Sequence, residues 1–141
     1  MKKKILVIGI LFLCIPLFGQ SDFGKITIKV QGIKNKKGSI SIAIFKSDDD
    51  FKNEKFSHVT RIKADSEVIH TFEKIEYGVY AVAVYHDEND NLKLDLNLVG
   101  FPKEGYGFSN NIKGVLGPPK FKDTSFQINQ SISNFTIQLI Y

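Results

Sequence analysis

From Lys25 onward, apolar side chains fall on every second position through most of the chain. Ile26, Ile28 and Val30 alternate with Thr27 and Lys29, and Ile40, Ile42 and Ile44 alternate with Ser39, Ser41 and Ala43. Successive residues of a strand point to opposite faces, so each run predicts a strand with one buried face. Gln31 to Lys37, ending at Gly38, is a short polar connection of the kind that joins two strands in a hairpin. Glu67 to Phe72 continues the alternation through Val68, His70 and Phe72. Gly78 to His86 is apolar on both faces and reads as a central strand, with Tyr80, Val82 and Val84 on one side and Ala81 and Ala83 on the other. Ser125 to Ile128 and Asn134 to Tyr141 close the chain in the same rhythm. No segment carries a sustained helical period. About seven short strands predict an all-β, antiparallel β-sandwich, Ig-like or prealbumin-like, with one long loop excursion.

Two stretches break the pattern. Lys46-Ser47-Asp48-Asp49-Asp50 is either a solvated loop or the cap of a short helical turn carrying Phe51 and Phe56. Asp87 to Asp123 is far longer than the usual connection, and such excursions are functional or folded on themselves. Phe101, Tyr106, Phe108 and Phe121 offer it a small satellite core, with an aromatic ligand platform as the alternative.

The N-terminus has a different grammar. Met1-Lys2-Lys3-Lys4 precedes a nearly unbroken apolar run from Ile5 to Phe18, and polarity returns at Gln20-Ser21-Asp22. A basic start and an apolar stretch of about 14 residues describe a secretory signal peptide, too short for a spanning helix of roughly 20 residues. We therefore expect residues 1–20 to be a signal, residues 21–141 a single domain, and the product to be periplasmic or extracellular with no membrane span after cleavage. A retained anchor is the alternative, and Cys14 lacks the small residue before it that lipidation needs.

Charge then loses its apparent meaning. Of the 19 Lys and Arg residues three lie in the signal, so 16 face 15 acidic residues in the remainder. With no basic cluster interleaved with aromatics, nucleic acid is not an expected partner. Chain length of 141 residues, 43% of them hydrophobic, gives one ordinary core and excludes a disordered or collagenous chain. The single Cys sits in the signal, so the domain has no disulfide, thiolate zinc site or thiol nucleophile.

One constellation carries specific chemistry. Asp87, Asn89, Asn91 and Asp95 fall at positions 1, 3, 5 and 9 of a calcium loop, with the Lys93 carbonyl at position 7. Oxygens on alternate residues of a tight loop converge on one point, and Ca²⁺ takes six to eight of them. The sixth position is Leu92 where Gly permits the sharp turn, and the twelfth is Leu98 where a bidentate Glu closes the shell. Asn97, Glu104 or water must complete the set. The competing account is a polar connection whose side chains cap their own backbone. His86 either orients a loop carboxylate or is a hydrogen-bonded core residue. His58, His70 and Ser109 form no recognisable nucleophilic set, and the usual hydrolase, metalloprotease and phosphate-loop motifs are missing. The expectation is a non-catalytic exported module whose partner is an envelope or extracellular protein or glycan. The alternative is a small secreted hydrolase or carbohydrate-acting enzyme using Asp87 and Asp95.

The run Gly78-x-Tyr80-Ala-Val-Ala-Val-Tyr-His86-Asp87-Glu88-Asn89-Asp-Asn91-x-Lys93-Leu94-Asp95 continues into Gly100-x-Pro102-Lys103-Glu104-Gly105-Tyr106-Gly107-Phe108-Ser109-Asn110-Asn111 and Gly117-Pro118-Pro119. Joined in this order, these motifs resemble the exported bacterial family called domain of unknown function 2141, over about Gly24 to Tyr141. The resemblance implies a β-sandwich and export, and no established activity. That family's loop carries Gly where this chain has Asp90 and Leu92. Phe72-x-x-Ile75-x-x-Gly78-x-Tyr80-x-Val82-x-Val84 is also similar to prealbumin-like and carboxypeptidase-regulatory-like modules, a likeness of fold alone.

Overall fold

The computed structural model describes residues 22–114 and 117–141. The expected signal peptide and Cys14 lie outside the described residues. Eight strands, rather than seven, form two sheets. β1 (Phe23–Gln31), β4 (Val68–Glu76) and β8 (Ile132–Gln138) make one, in the order β4-β1-β8. β2 (Ser39–Phe45), β3 (His58–Lys63), β5 (Gly78–Asp87) and β6 (Tyr106–Phe108) make the other, in the order β3-β2-β5-β6. β7 (Phe126–Ile128) pairs with the first residues of β5 and β6 with later ones, Ala83 to Tyr85. Every ladder is antiparallel except β1–β8, which runs parallel.

The alternating positions become the interior. Ile26, Ile28 and Val30 of β1 and Ile40, Ile42 and Ile44 of β2 are wholly buried in one cluster with Tyr80, Val82 and Val84 of β5. Burying such side chains stabilises the fold by about 1.5–3 kcal/mol each. The expected hairpin between the first two strands is not formed. β1 and β2 lie in different sheets, so their isoleucine faces meet across the interior and residues 32–38 cross between layers. Gly38 ends this crossing with left-handed backbone (φ 62°), where a Cβ would stand 1.8 Å from the Asp87 carbonyl oxygen. Only glycine lets the crossing lie so close to the end of β5.

The polar run after β2 folds as the short helix α1 (Asp48–Lys52), with the Ser47 hydroxyl accepting from the Asp50 N–H at 3.1 Å. Phe51 on this helix is the centre of the satellite core, with edge-to-face contacts to Phe45, Phe108 and Phe121. Phe101, expected in that cluster, instead lies exposed. The excursion after β5 carries β6, a 3₁₀ turn at Ser109–Asn111 and the helical turn α2 (Phe121–Thr124). Ser109 is wholly buried: its hydroxyl donates to the Thr124 carbonyl at 2.6 Å and accepts from the Val82 N–H. It is a tie between excursion and sheet.

Candidate functional site

β5 ends in His86 and Asp87, and both side chains are wholly buried. His86 Nε2 lies 2.7 Å from the Lys37 carbonyl, which can only accept, so this nitrogen carries the proton. Nδ1 then accepts from the Tyr141 hydroxyl at 2.8 Å. Of the two roles open to His86, the structure gives the hydrogen-bonded core residue, with no carboxylate on its ring. Burial raises the Tyr141 phenol above its ordinary pKa, against the Lys34 N–H that favours the phenolate, and Glu88 adds to the rise. His58 of β3 and His70 of β4 both meet the Phe72 ring edge-on.

Asp87 is the root of the loop. Its Oδ2 accepts from Arg61 Nη1 of β3 at 2.9 Å and from the Leu92 N–H at 2.8 Å, and its Oδ1 accepts from the Asn91 N–H at 3.0 Å. The Arg61 fork also donates to the Tyr85 hydroxyl at 2.7 Å. A buried carboxylate is tolerated when a cation and several N–H groups share its charge. β2 and β3 supply the cation by register, since Ser39 pairs with both Lys63 and Asp87, and Ser41 with both Arg61 and Tyr85.

The next ligand candidates turn the chain around this root. Asn89 Oδ1 accepts from the Asn91 N–H at 3.1 Å, and Asn91 Oδ1 from the Lys93 N–H at 2.9 Å. Asp90 and Leu92 both have left-handed backbone, at φ 55° and 69°. The sixth-position turn is thus made here without Gly. Asn89 Nδ2 and Asn91 Nδ2 each donate to one oxygen of Asp95, both at 2.9 Å. The side chains of Asn89, Asn91 and Asp95 therefore converge, over backbone held by Asp87. Lys93 contributes its N–H to the turn.

Two further residues complete the loop. Glu104 is buried beneath it, its Oε1 accepting from the Glu88 N–H and its Oε2 from the Asp95 N–H, both at 2.9 Å. Arg61 was visible in the sequence as the sole arginine, but nothing there joined it to Asp87. The crossing before β2 adds Asn35 Nδ2, donating to the Glu88 carboxylate, and the first residue of β2 adds the Ser39 hydroxyl, donating to Asp90.

The donor set suits a hard cation in type, with Asn89 and Asn91 oxygens each keeping one free lone pair after their backbone bond. Its charge is low, because Asp87 is already neutralised by Arg61. Among the described residues no three of His, Cys, Asp and Glu gather in a metal-holding group, so amide and carbonyl oxygens must carry much of any coordination. Hollows of about 200 and 160 Å³ lie against Lys46 with Glu76–Tyr80 and against Gly107 with Gln138, and neither reaches Asp87 or Asp95.

The family of uncharacterized proteins conserved in bacteria, DUF2141, matches residues 28–136, and the chain belongs to it. No curated protein and no solved structure matches the chain.

Proposed function

We propose that this chain is a non-catalytic exported β-sandwich module whose Asp87–Asp95 loop takes Ca²⁺ weakly and whose partner is an envelope or extracellular protein or glycan. What supports the metal is that the Asn89, Asn91 and Asp95 side chains meet on a turn whose sixth residue already has left-handed backbone. An ion would take the place of the two amide Nδ2 donors now on Asp95 and draw the amide oxygens toward it. Asp87 roots the turn, and the Lys93 carbonyl is the remaining candidate ligand. The ion, when bound, supplies charge neutralisation for Asp95 and its acidic neighbours, and its work is structural. The non-catalytic part is supported by the carboxylates themselves. Both oxygens of Asp87 are engaged with Arg61 and backbone N–H groups, and the two hollows lie away from Asp87 and Asp95, whereas a hydrolase needs an acid and a base facing a substrate cleft. Export rests on the basic and apolar grammar of residues 1–20.

With so little ligand charge the dissociation constant belongs with weak extracellular modules, on the order of 10⁻⁴ to 10⁻³ M. At ten times that constant, binding to the folded state alone adds about 1.4 kcal/mol, or a rise of about 5 °C in melting temperature. Thermal unfolding in millimolar Ca²⁺ against EDTA measures it. Asp95→Ala should abolish the difference while leaving the Asp87 root in place. Coincident wild-type melts, with no heat of binding in calorimetry, make the loop a self-capped turn and nothing more.

A further inference from the structure

The two most exposed large apolar residues among the described residues, Leu98 and Val99, lie side by side with Leu96 and Phe101 at the tip of a hairpin that rises from the loop. Leu96 bridges Pro102, and between them Leu98 is fully exposed (107%), Val99 76% and Phe101 54% exposed. No residue from Leu96 to Pro102 bears a charge. Contiguous exposed apolar surface of this kind marks a binding site rather than ordinary surface scatter.

The backbone of the tip is held by its own Asx turn. The Asn97 N–H donates to the Phe101 carbonyl at 2.8 Å, and the Gly100 N–H to the Asn97 carbonyl at 3.0 Å. Asn97 Oδ1 accepts from the N–H groups of both Val99 and Phe101, each at 3.0 Å. Gly100 supplies the left-handed turn at φ 86°. The donors of Asn97, Val99, Gly100 and Phe101 are thus satisfied within the tip, while the Leu98 N–H and the carbonyls of Leu98, Val99 and Gly100 have no partner among the described residues. Water or a protein partner supplies acceptors to open donors, but the interior of a lipid layer supplies none. A backbone with four donors closed and a few groups still open suits a shallow seat at the lipid–water boundary, where side chains enter the acyl region and the remaining polar groups stay among hydrated headgroups.

Two more features favour lipid over protein. A tip of six residues offers a few hundred Å² at most, well below the roughly 800 Å² per partner of a stable protein interface. Lys93 and Lys103, on either side of the tip's root, are exposed and ion-paired with nothing among the described residues. At the depth of the headgroups their ammonium groups meet phosphate while the apolar residues sit deeper. We propose that the Leu96–Phe101 tip is an interfacial anchor, inserting Leu98 and Val99 into the lipid of a membrane surface. The inference stands apart from calcium binding, because the tip's bonds involve no side chain of Asp87, Asn89, Asn91, Lys93 or Asp95, and Asn97 Oδ1 is spent on the tip's own N–H groups.

The chain has no Trp, so a single introduced one reports its own position. Val99→Trp in the full chain is mixed with vesicles of phosphatidylcholine, or of equal parts phosphatidylcholine and phosphatidylglycerol, carrying brominated acyl chains. Ile69→Trp, at an exposed site on β4, is the control for tethering by residues 5–18. The expected result is a blue shift and quenching at least about threefold stronger for Val99→Trp than for Ile69→Trp. Adding Leu98→Asp should weaken that partitioning about tenfold or more. Quenching in both vesicles supports an apolar anchor, and stronger quenching with phosphatidylglycerol supports the lysines as well. Equal quenching of the two Trp variants, or none, overturns the proposal. A blue shift without lipid that grows with protein concentration also overturns it, since the tip then packs on a second copy. Both introduced positions are exposed, and circular dichroism of each variant verifies the fold.

Discussion

The sandwich and the loop that leaves β5 are built inside out relative to one another. In the sandwich, Ile26, Ile42 and Val82 are buried and the lysines and glutamates lie outside. Between Asp87 and Glu104 the carboxylates at the two ends are buried, while Leu92, Leu96, Leu98, Val99 and Phe101 face outward. Non-directional apolar burial shapes the first region, and charge-assisted hydrogen bonds to backbone N–H groups shape the second. Such bonds fix geometry closely but add little net stability per residue, about 0.5–1.5 kcal/mol for an ordinary one and more where a charge takes part. The loop is therefore the well-shaped but weakly insured part of the molecule, and a few residues hold it.

Asp87 is the first of these. Asp87→Ala removes a buried acceptor of three bonds and strands Arg61, Asn91 and Leu92. Arg61 is about one-third exposed and recovers water, which moderates the loss. The expected cost is about 3 kcal/mol, seen as a lower urea midpoint with an unchanged slope. Arg61→Ala in the same background should add much less than it does alone, because the pair is one unit. A cost below about 0.5 kcal/mol means that the loop is held by apolar contacts after all, and the contrast between the regions collapses.

The same contrast decides how much was legible in the sequence. Apolar burial leaves a period, so β1, β2, β5 and β7 stand where alternation put them, while β4 runs on past Phe72 to Glu76 and β8 spans Ile132–Gln138 rather than Asn134 to Tyr141. Strand β3 escaped, because His-Val-Thr-Arg-Ile-Lys is an edge strand with Val59 exposed and only a half-buried inner face. Sheet membership escaped too: alternation marks which face of β1 is buried, but not whether the next strand pairs with it or faces it. For the loop, spacing singled out Asp87, Asn89, Asn91 and Asp95, and the structure ties these four together by hydrogen bonds within one turn. Spacing did not find Arg61 or assign Glu104 its two N–H partners, because those contacts join residues far apart in sequence and leave no periodic trace.

A smaller effect separates a polar group that serves the sandwich from one that serves the loop. Tyr80 is almost wholly buried in the core, and its hydroxyl donates to the Glu76 carbonyl at 2.8 Å. Burial raises its pKa, with Lys46 opposing and Glu76 adding to the rise. A phenol favoured neutral in the fold contributes fully below the unfolded value near 10, and the contribution fades as pH climbs through the raised folded value. Tyr80→Phe should therefore cost about 1 kcal/mol at neutral pH, and the gap to wild type should close in strong alkali. Chemical denaturation across that range measures it. A gap independent of pH means that the hydroxyl contributes nothing through its ionisation.

The smallest expected effect has the most telling sign. Leu92 is 64% exposed, so its side chain contributes little burial, yet its backbone is left-handed at φ 69°. That conformation costs an L-residue roughly 1–2 kcal/mol, whereas Gly adopts it freely but loses about 0.5–1 kcal/mol more chain entropy on folding. Leu92→Gly keeps the N–H that donates to Asp87 and should stabilise the protein by up to about 1 kcal/mol, raising its melting temperature by a few degrees. Asp90→Gly should not do the same. Asp tolerates the left-handed region, and its carboxylate also accepts from the Ser39 hydroxyl. Paired thermal melts of the two variants read the difference directly. In the sandwich, removing a leucine side chain lowers stability, and in the loop it should raise it. If Leu92→Gly instead destabilises by more than about 0.5 kcal/mol, the strain assigned to the sixth position is absent. The loop would then owe its shape to the leucine rather than to the hydrogen bonds of Asp87.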